Sequence, residues 1–291
     1  MNAELTFFGT GTSQGVPIIG CKCEVCSSPD PRDKRFRASA LVRFGGMTIL
    51  VDAGPDFRSQ MLREGIGHLD AILLTHNHKD HTGGLDDVRS LNYIDRKAVE
   101  IYCEPLVLDT LKREYAYAFE QVKYPGAPEW NVHLISEEPF KVRHNGGYVL
   151  EWVHDVGYRY SPIDGYIPDG EEVEVIPIRG WHASMPVLGF RFGNIAYLTD
   201  MSHIDDGELA KLRGLDHVTL NTVSYRPHHS HFSLDEALEL ADRIGAGHTW
   251  LTHLSHTFPV YERFCDDLAS LCAARGIRST VLPAYDGLTI K

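Results

Sequence analysis

The 291-residue sequence has no long run of apolar residues and no basic leader at its start. A membrane-spanning helix needs about 18 to 20 apolar residues in a row, so no such helix is expected. The opening MNAELTFFGTGTSQG lacks a basic stretch followed by an apolar one, which argues against a secretory signal. We therefore expect a cytoplasmic protein without a membrane partner.

Positive charge is scarce, because the sequence has 28 lysines and arginines but 40 aspartates and glutamates, which gives a formal net charge of −12. Nucleic-acid-binding proteins usually carry a basic surface that neutralises phosphates. Nucleic acid is therefore an unexpected partner, and a small molecule is the expected one. Hydrophobic residues at 43% and charged residues at 23% are typical of a globular protein with a sizeable core.

The six cysteines do not suggest a disulfide framework. Cys21, Cys23 and Cys26 lie within six residues, whereas the other three are far apart in the chain. Crowded thiols in a protein without a secretory signal favour a metal over a disulfide. Three thiolates can surround one ion, and a tetrahedral structural Zn²⁺ needs a fourth ligand.

Strands and helices are predicted in a mixed order. ALVRFGGMTILVDAG is typical of a β-hairpin, and LDAILLT of a buried strand. SLDEALELADRIG predicts a helix with Ser233 as N-cap and Glu236 in a capping box. This mixture indicates sheet layers covered by helices. We expect one domain, residues 1–291, with an irregular insertion at about 121–180 beside the substrate pocket.

A cluster of potential metal ligands follows the predicted strand LDAILLT. His76, His78, Asp80 and His81 lie within six residues, and Gly83-Gly84 closes the loop. Such a loop spreads its ligands too widely for one ion, but they can serve two ions about 3.5–4 Å apart, as in dinuclear hydrolytic sites. Imidazole and carboxylate together suit Zn²⁺ or Mn²⁺ better than Mg²⁺. The segment thus predicts a metal-dependent hydrolase.

The pattern His76-x-His78-x-Asp80-His81 resembles the signature of the metallo-β-lactamase superfamily. The resemblance covers essentially the whole chain and implies an α/β fold, the αββα sandwich, with two divalent ions at one edge. It implies one ion on His76, His78 and His182, the other on Asp80, His81 and His253, and Asp200 between them. Asp52 matches the aspartate that braces the metal-binding histidines.

His231, 22 residues before His253, resembles the catalytic histidine of the phosphodiesterase branch of this superfamily, which includes ribonuclease Z. The resemblance implies that His231 is a general acid or oxyanion stabiliser and that a metal-bridging hydroxide is the nucleophile. Asp80 is expected to be as essential for catalysis as His231. His228 and His229 are expected to be exposed residues ahead of a helix cap.

The triad Cys21-x-Cys23-x-x-Cys26 narrows the resemblance to the PhnP family of phosphoribosyl cyclic phosphate phosphodiesterases. In that family a histidine three residues after the last catalytic ligand completes the triad, and His256 lies three residues after His253. The resemblance implies a structural Zn²⁺ held by four protein ligands, with no open position for catalysis. It also implies a small cyclic or diester phosphate substrate such as phosphoribosyl 1,2-cyclic phosphate, and a homodimer.

Other functions remain open. A tRNA 3′-processing endoribonuclease would need a basic surface, which the net charge of −12 disfavours. A PqqB-like, non-hydrolytic protein of cofactor biosynthesis also carries a Cys-x-Cys-x-x-Cys element, but the complete ligand set with His231 favours hydrolysis. A metal-storing module would not need an open dinuclear site, and β-lactam hydrolysis is disfavoured by the bridging Asp200.

Tyr158, Arg159, Tyr160 and Tyr166 of the 121–180 region could face the substrate.

Overall fold

Two seven-stranded β-sheets form the centre of the computed structural model, which describes residues 2–124, 126–143, 148–153, 157–162 and 172–291. Its strands are β1 (Glu4–Gly9), β2 (Ser39–Phe44), β3 (Met47–Val51), β4 (Ala71–Leu73), β5 (Val99–Cys103), β6 (Trp130–Leu134), β7 (Phe140–Val142), β8 (Tyr148–Val153), β9 (Gly157–Pro162), β10 (Val173–His182), β11 (Met185–Phe192), β12 (Ile195–Tyr197), β13 (His217–Asn221), β14 (His248–Thr252), β15 (Thr280–Pro283) and β16 (Thr289–Ile290). Its helices are α1 (Glu24–Ser27), α2 (Phe57–Glu64), α3 (Lys79–Thr82), α4 (Arg89–Asp95), α5 (Pro105–Glu114), α6 (Leu234–Ile244) and α7 (Tyr261–Arg275).

The two sheets have the same plan. The first has the order β16-β1-β2-β3-β4-β5-β6, and the second has the order β15-β14-β13-β12-β11-β10-β7. The first is antiparallel from β16 to β3 and parallel from β3 to β6. The second is antiparallel from β7 to β12 and parallel from β12 to β15. Strands β8 and β9 form a separate antiparallel hairpin.

Apolar side chains fill the space between the sheets. Phe7 and Ile49 of the first sheet and Phe190 and Tyr197 of the second belong to one buried cluster. On the outer face of the first sheet, α2, α4 and α5 contribute to a second cluster. On the outer face of the second sheet, α6 and α7 contribute to a third. The αββα sandwich expected from the sequence resemblance is thus confirmed.

Two local predictions are confirmed because short-range chemistry determines them. Gly45 and Gly46 turn the β2–β3 hairpin with φ angles of 56° and 81°, which glycine adopts at little cost. Ser233 caps α6 in a capping box with Glu236. No helix in the described part of the chain is long and apolar enough to span a membrane.

The 121–180 region differs from the irregular stretch that its composition indicates. It contains β6 and β7, which are edge strands of the two sheets, and most of β10. The five residues of β6, WNVHL, do alternate apolar and polar side chains, so the sequence contains a short strand signal, although these side chains are not fully buried. A role for the rest of this region at the substrate pocket stays a prediction.

Two loops that lead to the candidate site pack backbone against backbone. The Ala53 N–H donates to the His81 carbonyl at 2.8 Å, and the Gly84 N–H donates to the Ala53 carbonyl at 2.8 Å. A Cβ atom added to Gly54 would lie 1.9 Å from the Asp80 carbonyl oxygen. Glycine at this position therefore allows the loop after β4 to lie directly on the loop after β3.

We expect Gly54→Ala to destabilise the protein by about 1–3 kcal/mol, because the new methyl group has to push the two loops apart. Gly67→Ala is the matched control, since a Cβ at Gly67 meets no atom of the described residues within 4 Å. Its free energy of unfolding should change by less than about 1 kcal/mol. Urea unfolding of both variants measures the difference. Equal stabilities would contradict the close approach.

Candidate metal centre

Three residues of the candidate site lie just beyond the carboxyl ends of strands and share an uncommon backbone conformation. Asp52 follows β3, Asp200 lies three residues beyond β12, and His253 follows β14. Their φ angles are 63°, 58° and 57°, in the left-handed region that residues other than glycine seldom adopt. Strain of this kind is often retained at functional sites, where it aims a side chain.

The tightest cluster consists of two carboxylates and two imidazoles. One ligand atom from each of Asp80, His81, Asp200 and His253 lies within 4.8 Å of all the others. His81 Nε2 is 3.3 Å from Asp80 Oδ2 and 3.2 Å from Asp200 Oδ2. His253 Nε2 is 3.0 Å from Asp200 Oδ1. Four such donors around one point can hold a divalent cation.

A second set of imidazoles lies beside the first. The ring centroids of His76 and His78 are 4.7 Å apart, those of His78 and His182 are 5.0 Å apart, and those of His76 and His182 are 5.8 Å apart. His182 Nδ1 donates to the backbone carbonyl of Asp200 at 3.1 Å, which leaves its Nε2 available as a ligand. Ligand atoms of His182, Asp200 and His231 also lie within 4.8 Å of one another. Asp200 therefore lies close to the ligand atoms of His182 as well as to those of the first cluster.

Several buried nitrogens at this point form no hydrogen bond of acceptable geometry with the described residues, although two of them, His81 Nε2 and His253 Nε2, lie close to carboxylate oxygens. They are His76 Nε2, His81 Nε2, His231 Nδ1 and both ring nitrogens of His253. Each unsatisfied buried polar group costs about 1–3 kcal/mol, so a cluster of several is consistent with a bound ion among them. Imidazole nitrogens with carboxylate oxygens are donors that Zn²⁺ and Mn²⁺ accept. The residues present thus fit a divalent metal.

The electrostatics of the cluster favour positive charge. Burial alone would raise the pKa of Asp200, but His253 and His81 hold that pKa well below its usual value. Burial opposes ionisation of Asp80 as well, yet His81 lowers its pKa overall. Conversely, Asp200, Asp80 and Asp52 raise the pKa of His81 well above its usual value in spite of burial. The carboxylates therefore stabilise a cation at the point that His81 Nε2 faces.

Asp52 fixes the orientation of the His81 ring through Nδ1, the nitrogen that faces away from the cluster. Its carboxylate accepts hydrogen bonds from the Thr75 N–H at 2.9 Å, the Thr75 hydroxyl at 2.8 Å and His81 Nδ1 at 2.7 Å. Burial raises the pKa of Asp52, and the charge of His81 opposes that rise. Because Nδ1 of His81 donates to Asp52, the other nitrogen is left for a metal.

A separate cluster contains three cysteines and a histidine. The Sγ atoms of Cys21, Cys23 and Cys26 lie 3.3, 3.4 and 3.7 Å from His256 Nδ1. The four ligand atoms all lie within 4.8 Å of one another, and the cysteines are free thiols. The backbone N–H of Cys26, followed by His256, lowers the pKa of Cys23 to about 6. Burial, in contrast, raises the pKa of the neighbouring Cys26 to about 11. Without a metal the cluster therefore favours one thiolate, on Cys23, at neutral pH.

The structure brings every predicted metal ligand into one of these two clusters or beside it, with Asp52 directly behind His81 and His231 next to Asp200. It also shows two threonines that the sequence did not reveal. The Thr75 hydroxyl contacts His76 Nδ1 at 2.9 Å, and the Thr199 hydroxyl donates to Asp200 Oδ2 at 2.6 Å. Each directly precedes the ligand that it contacts, which is the one signal that could have identified it. His228 and His229 are exposed, as expected.

The structure does not test whether the four residues that could face the substrate do so. Tyr166 lies outside the residues that the structure describes. Tyr158, Arg159 and Tyr160 lie in β9, which pairs with β8. Their role stays a prediction.

The fold and the histidine–aspartate cluster define a metal-dependent hydrolase class, and comparisons with known proteins agree. A model described as a β-lactamase superfamily domain matches residues 47–254. The crystal structure of a new diphosphatase from the PhnP family is similar with a TM-score of 0.78 and 35% identity, covering 100% of this chain and 98% of that one. The chain therefore belongs to the metallo-β-lactamase superfamily of hydrolases, and within it the chain resembles the PhnP family.

Two curated relatives extend the comparison. A ribonuclease Z of Mycolicibacterium gilvum is 27% identical over 302 residues, covering 94% of this chain and 90% of that protein. An octanoyltransferase of Porphyromonas gingivalis is 36% identical over 263 residues. That match covers 89% of this chain but 47% of the octanoyltransferase, so the chain spans about half of that protein's length.

Asp52→Asn should weaken metal binding about 10–100-fold, because it removes the charge that orients His81. The measurement is the metal retained during titration with a competing chelator. Asp109→Asn, on the exposed side of α5, is the matched control and should behave like the unaltered protein. Equal retention by the two variants would show that Asp52 does not support the metal centre.

Proposed function

We propose that this protein is a phosphodiesterase that holds two divalent ions across Asp200 and hydrolyses a small cyclic or diester phosphate. The observation that carries the proposal is the position of Asp200, which belongs to one ligand group with Asp80, His81 and His253 and to another with His182 and His231. A carboxylate shared in this way suits a dinuclear centre.

The chain's own residues divide the ligands between two positions. His76, His78 and His182 would hold one ion, and Asp80, His81 and His253 would hold the other, with Asp200 contributing to both. Zn²⁺ or Mn²⁺, when bound, would supply an activated water and stabilise the negative charge that develops on the phosphoryl oxygens. The remaining catalytic task is to assist the leaving oxygen, which needs a hydrogen-bond donor.

His231 is placed for that task. Its ring lies 4.6 Å from the ring of His182 and 4.6 Å from that of His253, between centroids. Its Nδ1 is 3.8 Å from Asp200 Oδ1, and its side chain is 11% exposed. Burial, followed by His253, lowers the pKa of His231 to about 3. A neutral imidazole at this position donates an N–H to a phosphate oxygen without adding positive charge.

The substrate class rests on one shared feature. Cyclic phosphates, linear diesters and diphosphate esters all contain a phosphorus atom that carries two bridging oxygens, ester or anhydride, one of which leaves. The similarity to a PhnP-family diphosphatase extends the proposal from phosphoribosyl 1,2-cyclic phosphate to diphosphate esters.

Ribonuclease Z activity is the second candidate, favoured by the similarity to the mycobacterial enzyme and disfavoured by the net charge of −12.

We also propose that Cys21, Cys23, Cys26 and His256 bind a structural Zn²⁺. Four protein donors complete a tetrahedral shell, so no position is left for a substrate. The cluster connects the loop around α1 to the segment between β14 and α7. Its expected contribution is therefore to hold the loop after the last metal ligand, His253, in place.

Metal counting by mass spectrometry of the native protein tests this scheme. We expect three ions per chain in the unaltered protein and two in Cys23→Ser, because a serine hydroxyl is a poor zinc ligand. Cys265→Ser, on α7, is the matched control and should keep three ions. Three ions in Cys23→Ser, or a single ion in the unaltered protein, would contradict the scheme.

His231→Ala should lower kcat for bis(p-nitrophenyl) phosphate about 100–10,000-fold while the metal content stays unchanged. His229→Ala, at an exposed position two residues away, serves as the control and should retain activity. The assay uses protein loaded with Mn²⁺ or Zn²⁺. A metal-loaded protein that cleaves thioesters or lactams but no phosphodiester would overturn the proposal.

The same assay, run on three natural substrate classes, separates the candidates. We expect turnover of a ribose cyclic phosphate or a diphosphate ester and little cleavage of a precursor tRNA. Preferred cleavage of the precursor tRNA would instead assign the ribonuclease Z function.

A further inference from the structure

Arg179 is a buried cation that connects the two sheets beside the candidate metal centre. It lies on β10 of the second sheet, three residues before His182 at the end of that strand. Its partner Glu104 lies between the end of β5, in the first sheet, and the start of α5. Arg179 Nη1 donates to Glu104 Oε2 at 3.0 Å, and Nη2 donates to Oε1. The two side chains are only 8% and 16% exposed, so this contact between the sheets is largely shielded from water.

The charge of Arg179 has a second carboxylate partner as well. Its Nε donates to Glu137 Oε1 at 2.9 Å. Burial alone would lower the pKa of Arg179, but Glu104, followed by Glu137, raises it above its usual value. Two parallel hydrogen bonds from one guanidinium to one carboxylate fix both a distance and a direction. The contact with Glu104 therefore defines how β10 lies relative to the end of β5.

The same guanidinium contacts the strand that leads to the histidine loop. Arg179 Nη1 also donates to the Val187 carbonyl on β11 at 3.3 Å. The N–H of the next residue, Leu188, donates to the Thr75 carbonyl at 3.0 Å, and Thr75 directly precedes His76. The contacts of this side chain therefore lead toward metal ligands of both sheets.

The backbone of β10 is held by separate contacts. The Arg179 N–H donates to Glu208 Oε2 at 2.8 Å, and Lys211 Nζ donates to the same oxygen at 2.9 Å. Near the end of the strand, the Trp181 N–H donates to the His203 carbonyl at 2.9 Å. Because these contacts use the backbone of β10, they remain when the Arg179 side chain is changed.

The first ion position proposed above takes ligands from both sheets. His76 and His78 belong to the loop after β4 in the first sheet, and His182 belongs to β10 in the second. A metal site has to be held to within about 0.5 Å of its working geometry. The separation of the sheets at this point therefore decides whether one ion can contact all three imidazoles.

We propose that Arg179, through its paired hydrogen bonds with Glu104, is a positioning residue that sets the separation of His182 from His76 and His78. It thereby determines the affinity for the ion that these three histidines share. The inference rests on the metal centre proposed above, and it gives Arg179 no contact with the substrate.

Titration of Mn²⁺-loaded protein with a competing chelator tests the inference. Mn²⁺ favours oxygen and nitrogen ligands over thiolates, so the Mn²⁺ retained reports on the histidine centre and not on the cysteine cluster. Arg179→Lys keeps the positive charge but cannot donate two parallel hydrogen bonds to Glu104. We expect its affinity for Mn²⁺ to fall about 10-fold, the lower end of the range for residues that support metal ligands.

Arg191→Lys is the matched control. Arg191 lies on β11 of the same sheet, and its guanidinium donates to the carbonyls of Gly193, Lys211 and Arg213. This variant should retain Mn²⁺ like the unaltered protein.

A double variant separates positioning from stability. Arg179→Met with Glu104→Met replaces the buried ion pair by apolar side chains, a change that is often neutral for stability. Urea unfolding without added Mn²⁺ should therefore give a free energy of unfolding close to that of the unaltered protein. The affinity for Mn²⁺ should nevertheless stay about 10-fold lower.

Equal Mn²⁺ retention in Arg179→Lys and Arg191→Lys would overturn the inference, and so would full retention in the double variant. The readout is bound metal, so it does not depend on turnover. A protein that shows the expected differences in Mn²⁺ retention but cleaves no phosphodiester would contradict the proposed function alone. A protein that cleaves a phosphodiester and retains Mn²⁺ equally in all variants would contradict this inference alone.

Discussion

The buried carboxylate of Asp200 is the group on which the arrangement of the metal centre depends. Its Oδ1 lies 3.0 Å from His253 Nε2, and its Oδ2 lies 3.2 Å from His81 Nε2. Its backbone carbonyl accepts from His182, and its left-handed φ of 58° turns the side chain toward all three histidines. Without this carboxylate the cluster would contain buried imidazoles and no shared negative charge. Much of the surrounding structure serves to keep it in place.

The sandwich explains how ligands from distant parts of the chain meet. The first sheet supplies the loop after β4, with His76 to His81, and the brace Asp52 after β3. The second sheet supplies His182 at the end of β10 and His253 after β14. The Leu188 N–H donates to the Thr75 carbonyl at 3.0 Å and joins the sheets beside the histidine loop. Because a packed core holds both sheets, the ligand positions are fixed by the fold rather than by one flexible loop.

The parts of the fold that follow local rules could be predicted from the sequence. The Gly45-Gly46 hairpin, the Ser233 capping box and the histidine loop are examples, because neighbouring residues determine each of them. The distant ligands His182, Asp200 and His253 were identified through the family resemblance, since an isolated histidine carries no signal of its own. Edge strands β6 and β7 alternate apolar and polar residues, but at five and three residues they are too short for that alternation to distinguish them from the irregular sequence around them.

The central claim is that two metal ions lie on either side of Asp200. Anomalous diffraction from crystals of the purified protein, recorded at the zinc and manganese absorption edges, tests it most directly. The account predicts two peaks about 3.5–4 Å apart next to the Asp200 carboxylate, with a third peak among Cys21, Cys23, Cys26 and His256. A single peak at the histidine cluster, or a peak that none of these ligands contacts, would contradict it.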